Sequence, residues 1–239
     1  MIKINKKLIS DLGNFMKMRY DIDISGEEIK KYPEAMHSFM RLQHWMDEIL
    51  LNRYFQASEN PEEEGIYWTQ QLEFDTRRTG KMLQERLQSM PNADILDVGC
   101  GNNDWKKLLG DRVHGIDPYN TNADTVKGIM DFKTEHKWKV VLALGSINFG
   151  DENTIFEQVK RITELVAPGG IIFWRCNPGI THDNTHAQWI DFYPWSHEKM
   201  QEFADKIGGF EIDILDWDHQ GDETIRWGNR IYSEWRRTK

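Results

Sequence analysis

The stretch that most constrains this chain is ADILDVGCGNND at residues 93–104, where an apolar strand runs directly into glycines. A strand that ends in Gly-x-Gly lets the backbone approach a ligand closely, because glycine has no Cβ. The carboxylate of Asp97 precedes Gly99, the first glycine. Where dinucleotide sites have a third glycine this chain has Asp104, whose charge would repel a pyrophosphate. The stretch therefore predicts a nucleotide-like ligand with a positive or hydrogen-donating group near the turn.

Strand and helix patterns alternate after this stretch. Short, nearly continuous apolar runs, typical of a parallel sheet covered on both faces, predict strands at 94–99, 112–116, 138–144 and 171–176. Helical periodicity predicts a helix at 152–170, stopped by Pro168-Gly169-Gly170, and another at 197–207. Alternating residues predict antiparallel strands at 210–217 and 224–237. The fold class is α/β: a doubly wound, mostly parallel, seven-stranded-type sheet with an antiparallel C-terminal strand pair.

Composition restricts the class of partner. The chain has 239 residues and a net charge of −9, which disfavours a nucleic-acid partner because the phosphates carry the same sign. The two cysteines, Cys100 and Cys176, are too few for a disulfide framework or a zinc site and predict reduced thiols. No apolar run approaches the ~18 residues of a membrane span. We therefore expect no membrane association and a cytoplasmic location.

The glycine stretch and the strand-forming segments that follow it together resemble the class I S-adenosylmethionine-dependent methyltransferases. ILDVGCGNND is similar to that family's first motif, which implies that Asp97 and the loop Gly99-Cys100-Gly101 hold the amino-acid end of S-adenosylmethionine. Asp117, 20 residues after Asp97, stands where the family carries the acid that binds both ribose hydroxyls. The alternatives are a strand-end cap for Asp97 and a turn former for Asp117, which precedes a proline. A small residue in a tight turn explains Cys100 better than a nucleophile does.

The resemblance continues along the chain to about residue 176. IMDF at 129–132 is similar to the next family motif, which implies that Asp131 accepts from the adenine amine and that Phe132 flanks the ring. LVAPGGIIFW at 165–174 matches the turn before the fifth strand. VVLALGSINF is similar to the fourth strand and its exit loop, which implies that three residues there line the pocket: Leu144, Gly145 and Asn148.

One spacing departs from the family pattern. Only eight residues separate Asp117 from Val126, whereas a parallel crossover normally takes a dozen or more. We therefore expect a loop or a single turn there instead of a helix. The position of Asp131 in the site depends on this short connection.

The first ninety residues have a different texture, with helical stripes of Met and aromatic residues. We predict two parts: a helical lid or substrate-binding segment at 1–90, and a Rossmann-like methyltransferase domain at 91–239. The alternative is that the stripes simply pack on the following domain. Arg77 or Arg78 is placed to neutralise the cofactor carboxylate.

Candidate catalytic residues follow the fifth strand, in the segment 177–200. His182, Asp183 and His186 lie where a substrate would meet the methyl donor, and His182 or Asp183 could deprotonate an acceptor. His182 and His186 have the spacing of a metal pair on a helix, but Asn184 and Thr185 do not favour a helix and no third ligand is evident. We predict no metal site, and ordinary surface histidines remain the alternative.

The resemblance implies an enzyme that transfers a methyl group from S-adenosylmethionine to a small-molecule, sugar-like or peptide acceptor. Two alternatives stay open. One is a methyltransferase-like binding or structural protein without turnover, since no motif in the sequence identifies a general base. The other is an NAD-binding oxidoreductase, which Asp97 and Asp104 disfavour. Neither the acceptor nor the oligomeric state can be read from the sequence.

Overall fold

This computed structural model describes residues 77–178, 193–219 and 229–238, together with scattered positions between 13 and 25. The chain divides into two compact units, Met1–Arg53 and Tyr54–Lys239. Among the described positions of the first unit, Lys17 forms ion pairs with Asp21 and Asp23. The elements below all belong to the second unit.

The second unit contains alternating strands and helices. The strands are β1 Ile95–Val98, β2 Val113–Asp117, β3 Thr125–Val126, β4 Trp138–Leu144, β5 Val166–Cys176, β6 Phe210–Trp217 and β7 Ile231–Arg237. The helices are α1 Leu83–Gln88, preceded by a π-helical turn at Arg78–Met82, α2 Asp104–Leu109, followed by a 3₁₀ turn at Gly110–Arg112, α3 Glu152–Glu164 and α4 His197–Ile207.

Within the described residues these strands form one seven-stranded sheet in the order β3-β2-β1-β4-β5-β7-β6. The strands β1 to β5 pair in parallel, and β7 is antiparallel to both β5 and β6. The predicted fold class is therefore confirmed. Because the chain proceeds from β1 to one side and from β4 to the other, a crevice forms at the carboxyl ends of these two strands.

Side chains alternate between two apolar layers, one on each face of the sheet. In β1, Leu96 and Val98 join the layer beneath α3 and α4, whereas Ile95 packs with Leu83 and Leu87 of α1. The side chain of Asp151 caps α3 by accepting from the Thr154 N–H at 2.8 Å. The sheet is thus covered on both faces, as its near-continuous apolar strands predict.

The helix predicted at 152–170 ends earlier, at Glu164, so that prediction was wrong at its C-terminal end. Val166 already pairs with Trp138 of β4, and both residues are buried. The turn Pro168-Gly169-Gly170 lies within β5, and Gly169 has φ +70°. The register between β4 and β5 is irregular at this point. Burial of Leu165 and Val166 in the core therefore overrides their helical spacing.

The short connection after β2 is a loop, as its length predicts, and it leads to the two-residue edge strand β3. The division at residue 90 stays a prediction, because most of segment 1–90 lies outside the described residues. Among the residues that the structure describes, no helix has the length and apolar character needed to cross a membrane.

Candidate functional site

A small pocket opens at the carboxyl ends of β1, β4 and β5. Its walls come from four segments of the chain: the residues before α1, the stretch from the end of β1 to the start of α2, the end of β4, and the end of β5. The lining residues are Arg77, Thr79, Asp97, Gly99, Cys100, Asp104, Trp105, Leu144 and Arg175. Four of the ten predicted cofactor-binding residues are therefore brought together here.

The backbone at Gly99 passes very close to the β4 exit loop. A Cβ at this position would overlap the side chain of Ser146, and Gly99 has φ +71°, in the left-handed region that favours glycine. The N–H of Gly99 donates to the Ile116 carbonyl of β2 at 2.7 Å. The first glycine of the motif is thus required by both conformation and space.

Asp97 carries the buried carboxylate of the pocket. Only 3% of the residue is exposed, and its Oδ2 atom has no hydrogen-bond partner among the described residues. Burial, with further contributions from the Asp117 and Asp104 carboxylates, raises the pKa of Asp97 to about 7. A buried carboxylate oxygen without a partner is unfavourable, so a ligand that brings a cation or N–H donors would relieve this cost.

Cys100 is not an activated nucleophile. Burial, reinforced by the nearby Asp97 and Asp117 carboxylates, raises the pKa of its thiol well above the ordinary value. Its N–H donates to the Ile116 carbonyl at 3.1 Å, which fixes the turn. The interpretation of Cys100 as a small turn residue therefore agrees with its surroundings.

Asp117 ends β2 and organises the two loops beside it. Its Oδ1 accepts from the N–H groups of Tyr119 and Asn120 at 2.8 and 2.9 Å, and its Oδ2 accepts from the N–H of Gly101 at 3.1 Å. Because a carboxylate offers about four acceptor positions, these three bonds leave room for a ligand hydroxyl. Asp117 is both a turn former and a candidate ribose acceptor.

A second polar cluster surrounds Asn103, and the sequence interpretation missed it. Asn103 has φ +59° and is 5% exposed, and its Nδ2 donates to the Asn122 carbonyl at 3.1 Å and to Asp124 at 3.3 Å. Asp124 also accepts from the N–H of Gly115 at 2.8 Å and forms an ion pair with Lys106. The asparagines clustered in GNND and PYNTNAD were the available signal.

A buried ion pair between Asp218 and Arg175 of the pocket lining was also missed. Asp218, which is fully buried, accepts from the N–H and Oγ1 of Thr79 at 3.0 and 2.9 Å. It also accepts from Nε of Arg175 at 2.8 Å. These three residues are far apart in sequence, so no local motif announces the contact.

The two arginines considered for the cofactor carboxylate separate. Arg77 lines the pocket. Arg78 instead pairs with Asp216 at 2.6 Å and donates to the Trp217 carbonyl at 3.2 Å, on the β6 edge. Of the two, the structure therefore places only Arg77 at the site.

Comparison with solved structures identifies the fold. A 1,6-didemethyltoxoflavin-N1-methyltransferase from Burkholderia thailandensis, with bound S-adenosylhomocysteine, is 15% identical with a TM-score of 0.57 over 80% of this chain and 88% of that one. A magnesium protoporphyrin IX methyltransferase from Synechocystis PCC 6803, also with bound S-adenosylhomocysteine, is 14% identical with a TM-score of 0.57 over 80% and 99%. The chain has the class I methyltransferase fold. No protein-family model matches the sequence, and no curated protein is significantly similar to it.

Within this methyltransferase fold, the two residues predicted for adenine lie apart from the pocket lining. Phe132 is buried, with its ring centroid 5.7 Å from that of His114 and 5.9 Å from that of Trp138. Asp131 is exposed in the turn after β3. The roles of both residues toward a cofactor stay predictions.

The β4 exit loop of the methyltransferase fold is held by Asn148. Its Nδ2 donates to the Gly145 carbonyl at 2.6 Å, and its Oδ1 accepts from the N–H of Asn177 after β5 at 3.0 Å. Both ends of the amide are therefore engaged in joining the two loops. Leu144 lines the pocket, whereas the parts of Asn148 and Gly145 in ligand binding stay predictions.

The predicted catalytic residues, His182, Asp183 and His186, all lie in the segment 179–192, outside the described residues. The described ends of that segment approach each other, since Pro178 and Trp195 form a parallel bridge. Trp195 is buried, and its Nε1 donates to the Ile147 carbonyl at 2.7 Å. The described residues on either side of the segment thus lie beside the β4 exit loop.

Proposed function

We propose that this protein binds S-adenosylmethionine and transfers its methyl group to a small-molecule, sugar-like or peptide acceptor. The observation that carries the proposal is the buried, unpartnered Oδ2 of Asp97 beside the glycine loop, at the carboxyl ends of the strands of a methyltransferase fold. The α-ammonium of the cofactor is a donor of the kind that this atom lacks.

The carboxylates at the glycine loop, where a dinucleotide would place its pyrophosphate, favour this cofactor over a dinucleotide. Asp97 and Asp104 both line the pocket, and a pyrophosphate placed against them would be repelled. A sulfonium nucleoside with an amino-acid tail carries no phosphate. Asp117 supplies a carboxylate for the ribose hydroxyls one strand away.

The bound cofactor would supply an already activated methyl group on its sulfonium. The protein then has to orient the two reactants, exclude water and remove a proton from the acceptor if the nucleophile carries one. Asp97, the loop at 99–101 and Asp117 would fix the donor. His182, Asp183 or His186 would supply the base.

Binding is the first test. Calorimetry with S-adenosylhomocysteine should give saturable one-to-one binding, and NADH should produce no heat of binding. No binding of S-adenosylhomocysteine at millimolar concentration would reject the proposed function. Stabilisation by NADH alone would instead support an oxidoreductase.

Turnover is the second test. Methyl transfer from radiolabelled S-adenosylmethionine to fractions of a metabolite and peptide extract would reveal an acceptor. Single substitutions of His182, Asp183 and His186 by alanine would then locate the base. His136→Ala is the control, because His136 precedes β4 and pairs with Asp94 before β1, away from the carboxyl ends of the strands. Cofactor binding with no transfer to any fraction would contradict the proposed enzymatic activity and favour the binding-protein alternative.

A further inference from the structure

The pocket contains charges of both signs. Asp97 and Asp104 contribute carboxylates, and Arg77 and Arg175 contribute guanidinium groups. Arg175 lies two residues after Phe173 on β5, so its side chain shares the face of the sheet that carries Ile95 and Asp97. A pocket wall with both positive and negative charges suits a zwitterionic ligand.

Arg175 is held in position from behind. Its Nε donates to Asp218 at 2.8 Å, and Asp218 is fully buried and also bonded twice by Thr79. Within the described residues the Nη1 and Nη2 groups of Arg175 have no hydrogen-bond partner, and 23% of the side chain is exposed. The guanidinium is thus fixed at one edge while its terminal N–H groups are available to the pocket.

We propose that Arg175, positioned by Asp218, binds the carboxylate at the amino-acid end of the cofactor, and that Asp97 binds the ammonium group of the same end. The inference rests on the proposed function and adds a ligand contact that the sequence resemblance did not assign. Two terminal N–H groups of a fixed guanidinium match a carboxylate in a planar, bidentate arrangement. Asp218 restrains rotation of the side chain, so less conformational entropy is lost on binding.

The test compares two ligands that differ only in the carboxylate. The first is S-adenosylhomocysteine, and the second is the adenosine thioether that carries a 3-aminopropyl group in place of the homocysteine tail. Wild-type protein should bind the first about 10- to 100-fold more tightly, the range expected for charge-assisted hydrogen bonds. In Arg175→Gln the ratio of the two affinities should fall to about 1, within the scatter of such measurements.

The ratio within one variant cancels any general loosening of the fold. Arg78→Gln is the matched control, because Arg78 pairs with Asp216, two residues before Asp218, without lining the pocket, and it should keep the wild-type ratio. Arg175→Lys should restore part of the discrimination, since it keeps the charge without the planar fork. If Arg175→Gln does not fold, this lysine variant provides the comparison, with a ratio below that of wild type expected.

Three results would overturn the inference. The ratio could persist unchanged in both Arg175 variants. It could instead disappear only in Arg77→Gln, which would assign the carboxylate to Arg77. Finally, Arg175→Gln could leave S-adenosylhomocysteine binding intact and raise KM only for an acidic acceptor, which would assign Arg175 to the acceptor. Absence of binding to the wild-type protein is a separate result, since it rejects the proposed function itself.

Discussion

On one side of the sheet's carboxyl edge, at β1, β4 and β5, Asp97 has a buried oxygen without a partner and Arg175 has terminal N–H groups without acceptors among the described residues. On the other side, at β2 and β3, Asp117 accepts three backbone N–H groups and Asp124 is bonded by Gly115, Asn103 and Lys106. Both carboxylates of the second region are held by its own loops and helix, although Asn103 Oδ1 is buried without a partner there, whereas in the first region the unmet hydrogen-bonding capacity belongs to charged side chains. A buried group left in this state points to a ligand more strongly than a satisfied one does.

The largest expected effect comes from filling the space at Gly99. In Gly99→Ala the new methyl group would overlap Ser146 and strain a positive φ, so we expect a loss of about 2–4 kcal/mol in the free energy of unfolding. Binding of S-adenosylhomocysteine should become undetectable. Gly128→Ala is the control, because a Cβ there would meet only Pro118 at 3.8 Å. If Gly99→Ala and Gly128→Ala changed urea unfolding and calorimetric binding equally, the close approach of Ser146 to Gly99 would not be the cause.

The second prediction uses the raised pKa of Asp97. A folded-state pKa of about 7, above the ordinary value of 3.8, means that the folded protein binds the proton more tightly than the unfolded chain. Stability contributed by this group should therefore fall as pH rises from about 4 to about 7, by on the order of 3 kcal/mol. Urea unfolding at about pH 5 and about pH 8 measures this fall in the free energy of unfolding, which should be absent in Asp97→Asn.

The exposed Asp111→Asn variant serves as the control for charge removal and should keep the wild-type pH profile.

Binding provides a second readout of Asp97. Since the ammonium would pair with the ionised carboxylate, affinity for S-adenosylhomocysteine should rise between about pH 6 and about pH 8 in wild type. A flat profile in the wild-type protein would show that Asp97 does not contact the charged tail.

The third prediction separates the two regions by ligand. Asp117→Asn should weaken S-adenosylhomocysteine and 5′-methylthioadenosine alike, by about tenfold, because both contain the ribose. Asp97→Asn should weaken only S-adenosylhomocysteine, because 5′-methylthioadenosine has no amino-acid tail. The same selectivity in both variants, measured by calorimetry, would contradict the division of the site into a tail half and a nucleoside half.

The smallest effect is expected at Lys106, which pairs with Asp124 at the rim of the β2–β3 region. Because 30% of the lysine side chain is exposed, Lys106→Gln should lower the free energy of unfolding by only about 0.5 kcal/mol. This loss should become smaller in high salt, which screens the ion pair. Cofactor affinity should stay unchanged. A loss in affinity comparable to that of Asp117→Asn would show that the Asn103 cluster shapes the nucleoside half directly.

The sequence predicted those features whose causes are local. The span of α4 at 197–207 and that of β6 at 210–217 agree with the structure, since each is set by its own periodicity and its flanking glycines. The early end of α3 could not be predicted, because Val166 enters the sheet through a contact with Trp138. The Thr79–Asp218–Arg175 cluster was missed for the same reason, since its members come from three distant segments.

Asp218 also bears on the order in which the site can form during synthesis. Its bonds to Thr79 close 139 residues of chain, and its bond to Arg175 closes 43. A nascent chain that has already completed β1, the glycine loop and β4 therefore still lacks the acceptor that orients Arg175. Chains truncated before β6 would keep the nucleotide-binding motif in their sequence but lose this acceptor and two strands of the sheet. The complete pocket can accordingly form only after Asp218 has been synthesised.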